Sequence, residues 1–527
     1  MKMPMIPMVA LTAALVGACA GNASASAPER RHDATPRDSI DEPVFRRLKE
    51  LGIQAADACT DEVFLRRAYL DVIGTLPTSA EARQFLRDKS PGKRPALVDR
   101  LLAREEFADY WAMKWSDLLR VKAEFPINLW PNAASAYDRW IRTSLKENLP
   151  YDRFARELIT ASGSNFRVPQ VNFYRALQSK DPQTIARAVA LMFMGVRAEK
   201  WQKERLAGLA ALFSQVGYKR TLEWKEEIVY FDPTKAAKDA APGAPSAAVF
   251  PDGTPAALSA DRDPREVFAD WLIAPKNPWF ARNIVNRVWC WLMGRGIIHE
   301  PDDIRPDNPP SNPELLALLE HELVASKYDL RHLYRLMLNS KTYQLSSIPR
   351  SKHPDAEASF AFYPIRRLDA EVLIDALNQM TGTKEEYSSA IPEPFTWIPE
   401  DQRSIALPDG SITSSFLEMF GRPPRDTGLE SERNNNPTPD QRLHLLNSSH
   451  IRRKISESKT LAPLIAGARG QRAAATELYL TILSRFPTEE ELAIVKAYAE
   501  SGEARGPEAL TDLAWALINS TEFLYRH

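Results

Sequence analysis

The chain has 527 residues, 44% of them hydrophobic, with 68 basic and 69 acidic side chains and a formal charge of −1. That length exceeds one ordinary core and predicts two or three domains. The balanced charge gives no global field for DNA or RNA, and no long Lys/Arg run gives a local one, so nucleic acid is excluded as a partner.

The first 19 residues read as an export signal. Lys2 supplies a weak basic start, Met8 to Val16 is apolar, and Val16-Gly17-Ala18-Cys19 has the form of a bacterial lipobox. This predicts lipidation of Cys19 and a periplasmic or outer-membrane-associated lipoprotein. Cleavage near Ala23-Ser24-Ala25, giving a secreted soluble protein, is the alternative. The apolar stretch is shorter than the roughly 20 residues that a spanning helix needs, and no later stretch is a transmembrane candidate. Residues 20–38 are small, polar and charged and read as a tether. Past Cys19 only Cys59 and Cys290 remain. They are far apart in sequence and imply no disulfide framework, so two unpaired thiols are expected.

Helical periodicity runs through an N-terminal domain over 39–220. Asp61 to Ile73 carries Val63, Phe64, Ala68 and Val72, Pro77-Thr78 stops it, and Thr78-Ser79-Ala80-Glu81 opens the next helix as a capping box. Further helices are predicted at about 95–122, 132–147, 151–161, 181–195 and 200–214. Residues 221–262 read as a linker: Glu227 to Phe231 is a candidate strand, and Ala236 to Ala260 is rich in Ala, Pro, Gly and Ser. A C-terminal domain over 263–527 opens at Asp263-Pro264-Arg265, with Asp as N-cap and Pro in the first turn. Its helices are predicted at 264–274, 278–293, 313–325, 329–339 and 368–380. A Pro-rich irregular stretch from Ser388 to Asn436 follows, then a last helical set over about 438–526. The fold class is mostly α, two multi-helical domains with a short extended connection. One echo is internal: the Tyr69-Leu70, Ile73, Pro77-Thr78 and Glu81 pattern recurs as Tyr479-Leu480, Leu483, Pro487-Thr488 and Glu491, which reads as a reused helical module.

Four segments form a signature: Phe64-Leu65-Arg66-Arg67-Ala68-Tyr69-Leu70-Asp71, Leu191 to Arg197, Asp263 to Ser347, and Phe416 to Ile451 with its Thr427-Gly428-Leu429-Glu430-Ser431-Glu432-Arg433. Together they resemble the paired planctomycete cytochrome-type domains of unknown function, an N-terminal cytochrome-associated domain followed by a planctomycete-specific C-terminal domain. In that family a Cys-x-x-Cys-His haem attachment often follows the Gly-Val-Arg segment. Here Gly195-Val196-Arg197 runs into Ala198-Glu199-Lys200-Trp201-Gln202 with no Cys or His, and the second cysteine-bearing stretch of the family is the cysteine-free Thr427 to Arg433. Thioether attachment needs two thiols, so covalent haem at these places is excluded and no cofactor is expected.

The sharpest polar cluster is Glu300-Pro301-Asp302-Asp303-Ile304-Arg305-Pro306-Asp307-Asn308-Pro309-Pro310. Asp302, Asp303 and Asp307 on a proline-stiffened backbone are candidates for a hard cation or for an acid/base pair, although the spacing is not that of an EF-hand. A rigid capping loop in which Arg305 pairs a carboxylate is the more economical reading. Arg282, Asn286 and Arg287 share one helix face and project towards that loop. With Arg305, Asn308, Arg366, Arg367, Asp369, Glu430, Glu432 and Arg433 they are candidates for a buried ion network or an anion site. No His-x-x-x-His pair, nucleophile elbow, P-loop or dinucleotide fingerprint is present, so no metal is expected. Trp111, Trp115, Trp279, Trp289 and Trp291 suggest a sugar platform, but core packing accounts for them at less cost.

The resulting expectation is an exported, lipid-anchored envelope protein that binds or scaffolds, with an envelope protein or an extracellular polysaccharide as partner. The alternatives are an extracellular polysaccharide hydrolase using Asp302, Asp303 or Asp307, and a redox accessory without its own covalent haem.

Overall fold

The computed structural model describes residues 40–235, 248–467, 470–502, 504 and 506–527; Cys19 and the export signal lie outside them. The protein is mostly α-helical, as the periodicity predicts. Local chemistry sets the helix boundaries. Thr60, Thr78, Asp181, Asp263, Asn312, Asp329, Thr438 and Thr488 each accept a backbone N–H of the following turn, and Pro occupies the first turn after Asp181, Asp263, Asn312 and Thr438. The strand expected at Glu227–Phe231 exists. It lies between Gly163–Ser164 and Val216–Arg220 in a three-stranded antiparallel sheet, in which Val216–Arg220 and Glu227–Phe231 form a hairpin. Both thiols at Cys59 and Cys290 are free.

The two halves do not build separate interiors. A single hydrophobic cluster runs from Ile40 to Phe523 and includes Phe64, Trp111, Trp115, Trp289, Tyr343 and Leu478. Four of the five tryptophans that suggest a platform are thereby used in packing: Trp291 lies 5.3 Å from Trp111 and 5.9 Å from Trp115, centroid to centroid, and Trp289 is fully buried. The Arg66-Arg67 pair stitches the first half to the last. Arg66 donates to the carbonyls of Ile482 (3.0 Å) and Phe523 (2.7 Å), and Arg67 to those of Tyr343 (2.6 Å), Leu345 (2.9 Å) and His527 (3.0 Å). A short strand, Tyr525–Arg526, pairs antiparallel with Arg366–Arg367 and closes this seam.

The internal echo is structural in detail. Capping boxes are present at Thr78/Glu81 and at Thr488/Glu491, and the preceding helices both end with an N–H, from Ile73 or Leu483, on the carbonyl of the tyrosine that opens the motif. Gly74 and its counterpart Ser484 are both left-handed, at φ +59° and +62°. Ser484 is buried, and its hydroxyl has no hydrogen-bond partner among the described residues. Relief of the left-handed strain and of the unpaired hydroxyl predicts that Ser484→Gly stabilises the protein by about 0.5–1 kcal/mol. Gly74→Ser should destabilise, because a side chain there strikes the Tyr110 ring. Thermal melts of the two variants check both signs.

Candidate functional site

The loop from Glu300 to Pro310 connects the helix Phe280–Met293 to the helix Pro313–Ala325 and lies against the segment that follows Met194. A π-helical turn, Ala190–Met194, ends at Gly195 with φ +65°. The Gly195 carbonyl accepts Ile304 N–H at 2.9 Å, and a Cβ on Gly195 would lie 2.7 Å from Asn283 Oδ1 and 2.9 Å from the Pro301 carbonyl. Only glycine permits this approach. Asn286 fixes the entry to the loop by bonding both backbone groups of Ile298 (2.8 and 3.0 Å), and Asn308 fixes its turn by donating to the carbonyls of His299 (2.7 Å) and Asp303 (3.0 Å).

Between these segments lies a cleft of about 610 Å³. Its cations are Arg197, Lys200, Arg205, Arg282 and Arg305, its carboxylates Asp303 and Asp307, and its apolar walls Trp201, Trp279, Pro278 and Pro306 to Pro310 except Asp307 and Asn308. Five positive groups face two negative ones. Arg305 bridges the carboxylates, at 3.1 Å from Asp303 and 3.0 Å from Asp307; Lys200 lies 3.6 Å from Asp303. Arg282 turns to Glu320 (2.7 Å), and the Arg205 guanidinium stacks 4.1 Å from the Trp201 ring centroid. The Arg197 guanidinium has no hydrogen-bond or ion-pair partner among the described residues, and its Nε is shielded from solvent.

Asp302 faces away from the cleft. It is buried, accepts Arg287 at 2.8 Å and the Glu430 N–H at 2.6 Å, while Glu430 accepts Trp291 Nε1 at 2.9 Å and lies 3.8 Å from Arg287. Burial pushes the Glu430 carboxyl up, with Arg287 and Lys114 opposing. Deeper still, Arg433 binds Asp117 (2.7 Å) and Glu371 (2.7 Å), Arg425 binds Asp117 (2.9 Å), and Asp369 is held by Lys114 (3.1 Å), Arg526 (2.8 Å) and Asn435 (2.7 Å). Asp71 accepts the hydroxyls of Tyr343 (2.9 Å) and Tyr363 (2.8 Å), with Arg526 and Arg366 at 3.5 and 3.6 Å. Burial by itself raises the Asp369 carboxyl, but Lys114, Arg526 and Arg433 overcome it and hold the group well below its usual range. Arg366 also caps the carbonyls of Trp291 and Leu292, and Glu432 accepts the N–H groups of Asp426 and Thr427.

The sequence candidates therefore divide. Arg282, Asp303, Arg305, Asp307 and Asn308 belong to the cleft or its loop and Asn286 anchors that loop, whereas Arg287, Asp302, Arg366, Arg367, Asp369, Glu430 and Arg433 brace the interior and the half-buried Glu432 holds only the turn at Asp426 and Thr427. Sequence reasoning missed Arg197, Lys200, Trp201 and Arg205 on the cleft wall and Lys114, Asp117, Glu371, Arg422, Arg425 and Arg526 in the network. A signal existed for some of the latter, since Lys114 stands between Met113 and Trp115 and Glu371 between Ala370 and Val372, each flanked by apolar residues. His444 and His450, six apart in sequence, meet at 3.3 Å with Glu385 2.9 Å beyond.

Two family models match. Residues 39–205 match PSCyt2, a protein of unknown function (DUF1549), and residues 264–499 match PSD1, a protein of unknown function (DUF1553). The chain belongs to the proteins that pair these two domains. No curated protein and no solved structure matches it. The cleft is a joint product of the pair: Arg197, Lys200, Trp201 and Arg205 come from the PSCyt2 segment, and Trp279, Arg282, Asp303 and Arg305 from the PSD1 segment. The ion network is shared likewise, with Asp71, Lys114 and Asp117 on one side and Glu371, Asp369 and Arg433 on the other.

Asp302→Asn removes the nearer counter-ion of the buried Arg287 and leaves only Glu430 at 3.8 Å, and is expected to destabilise by about 3 kcal/mol. Asp307, whose side chain is 72% exposed, should tolerate Asn within about 0.5 kcal/mol. Chemical denaturation of the two variants measures the contrast. The depressed Asp369 pKa makes a second prediction. An acid whose folded-state pKa is lowered contributes stability that is present above its unfolded pKa of about 3.9 and is lost as the pH falls through the folded value. Melting temperature should therefore fall as the pH drops below about 4, and Asp369→Asn should start lower but show a shallower fall over the same range.

Proposed function

We propose that this protein is an exported, lipid-anchored binding protein of the cell envelope whose site is the cleft between the PSCyt2 and PSD1 segments, and that the cleft takes an acidic polysaccharide. Export and the lipid on Cys19 rest on the Met1 to Cys19 pattern alone. The observation that carries the ligand class is the composition of the cleft wall: an excess of cations, among them the unpartnered Arg197, set between the rings of Trp201 and Trp279 and a run of prolines. Indole rings stack on sugar faces, and guanidinium groups bind carboxylate or sulfate in bidentate fashion. Sites at domain junctions with convergent polar groups on an apolar wall are the usual places for ligands.

Binding is favoured over hydrolysis by the fate of the three aspartates. A glycosidase needs two carboxyl groups free to face each other across a glycosidic bond. Asp302 is sealed beneath Arg287 and the Glu430 amide, and Asp303 and Asp307 are bridged by one arginine. Titration calorimetry of the full chain with oligogalacturonate or dextran sulfate fragments, against neutral dextran, tests the reading. Acidic fragments should bind and neutral ones should not, and Arg197→Ala should weaken binding at least tenfold with unchanged melting temperature. Equal affinity for neutral dextran, or an Arg197→Ala variant that binds as wild type, overturns it. Cleavage of the fragments, lost in Asp303→Asn, would assign hydrolysis instead.

A further inference from the structure

Large apolar side chains left in solvent are not spread evenly over this protein. Of the ten that are exposed among the described residues, five fall on three loops: Phe125, Leu222 with Trp224, and Phe395 with Trp397. The loops are distant in sequence and meet in space. The Trp130 ring centroid lies 6.4 Å from that of Trp224 and 5.3 Å from that of Phe395. Lys225 Nζ lies over both indoles, at 5.2 Å from Trp130 and 5.4 Å from Trp224.

The loops are held rigid at the cost of strain. Trp130, Asn128 and Lys225 have φ of +73°, +60° and +62°, a region that bulky residues enter only when their surroundings impose it. The surroundings do so. Asp409 accepts the N–H groups of Ala123 (2.9 Å) and Ser411 (2.8 Å), Glu124 accepts that of Ala390 (3.1 Å), and Glu226 binds the Thr221 hydroxyl (2.7 Å) across the hairpin turn. Each loop is thus fixed by a buried or chelated carboxylate while its apolar side chains point into water. Burial of those side chains on a partner requires little further ordering.

We infer that these three loops form a docking surface for an anionic phospholipid membrane. Two observations choose lipid over other occupants. The most exposed side chains of the patch are Leu222, at 108%, and Phe125, at 80%; neither offers a hydrogen bond to a sugar, whereas indoles, aliphatic side chains and lysines together are the composition that inserts at a bilayer interface. The hairpin that carries Leu222 and Trp224 also carries Lys219, Arg220 and Lys225, all without an ion-pair partner among the described residues, against one exposed carboxylate of its own, Glu223; the exposed acids of the Phe395 loop are Glu393, Asp401 and Glu400, the last paired with Lys384 at 3.3 Å. Such cations complement anionic headgroups just above inserted rings. The inference is independent of the acidic ligand of the cleft and of the lipid on Cys19.

The test is flotation of the full chain carrying Cys19→Ala, which removes the point of acylation, with phosphatidylcholine vesicles containing or lacking phosphatidylglycerol. Binding is expected to the anionic vesicles and to fall at least tenfold in the triple variant Phe125→Ser, Leu222→Ser and Trp397→Ser, whose melting temperature should stay that of the parent because all three side chains are in solvent. Lys219→Glu with Arg220→Glu should abolish the preference for phosphatidylglycerol. Absence of vesicle binding, or binding that the triple variant retains, overturns the inference. So does a dimer in sedimentation, or binding to neutral oligosaccharide, that the triple variant loses while vesicles are ignored, since the patch would then belong to a second copy or to a polymer.

Discussion

The rest of the structure depends on the burial of Arg433 between Asp117, Glu371 and Asp369. Taking such charges out of water costs several kcal/mol per ion, and the cost is offset only when geometry is close and the remaining donors and acceptors are occupied. Here Arg425, Lys114, Arg526 and Asn435 occupy the carboxylates, while Arg425 Nη2, Arg526 Nε and Asn435 Oδ1 have no hydrogen-bond partner among the described residues. Because Asp117 and Lys114 come from the PSCyt2 segment and the other partners from the PSD1 segment or beyond it, neither half can satisfy its own charges. The hydrophobic cluster that spans both halves is compatible with any of several packings, while the ion pairs admit one. They set the register in which the two halves meet, and with it the position of the cleft that they share.

Much of the helical architecture was legible because it is written in local chemistry. Thr78 with Glu81, Asp263 with Pro264, and Thr488 with Glu491 mark helix starts by satisfying amide groups within four residues, and the structure realises all three. The carboxylates of the Glu300 to Pro310 loop were legible as a polar cluster, and Arg287 was legible as their neighbour on the facing helix. Their division of labour was not. Whether Asp302 or Asp303 faces solvent depends on the rotation of a loop whose position is fixed by Gly195, more than 100 residues earlier in the chain. Likewise Asp117 is an ordinary residue in the run Trp115-Ser116-Asp117-Leu118 until Arg425 and Arg433 arrive from 300 residues away. Long-range charge pairing has no periodicity, so a pattern search does not find it.

The site shows the same dependence. Arg197 and Lys200 sit just after the Gly195 turn, and that stretch is a cationic wall beside Trp201. The π-helical turn that precedes it ends at the left-handed Gly195, whose carbonyl accepts the Ile304 N–H, and Arg197 follows on the cleft wall.

The pairing of Tyr525–Arg526 with Arg366–Arg367 has a consequence in time. Arg526 is a counter-ion to both Asp71 and Asp369, so the carboxylate near the start of the described chain waits for a guanidinium some 450 residues later. During synthesis, at about 5–20 residues per second, that interval lasts tens of seconds. Until then Asp71 has only Arg366 for a cation, 3.6 Å away and itself in the PSD1 segment, while Asp369 has Lys114 and Arg433. Closure of the two halves is accordingly tied to a contact of very long sequence separation, the kind that costs most chain entropy before it is rewarded.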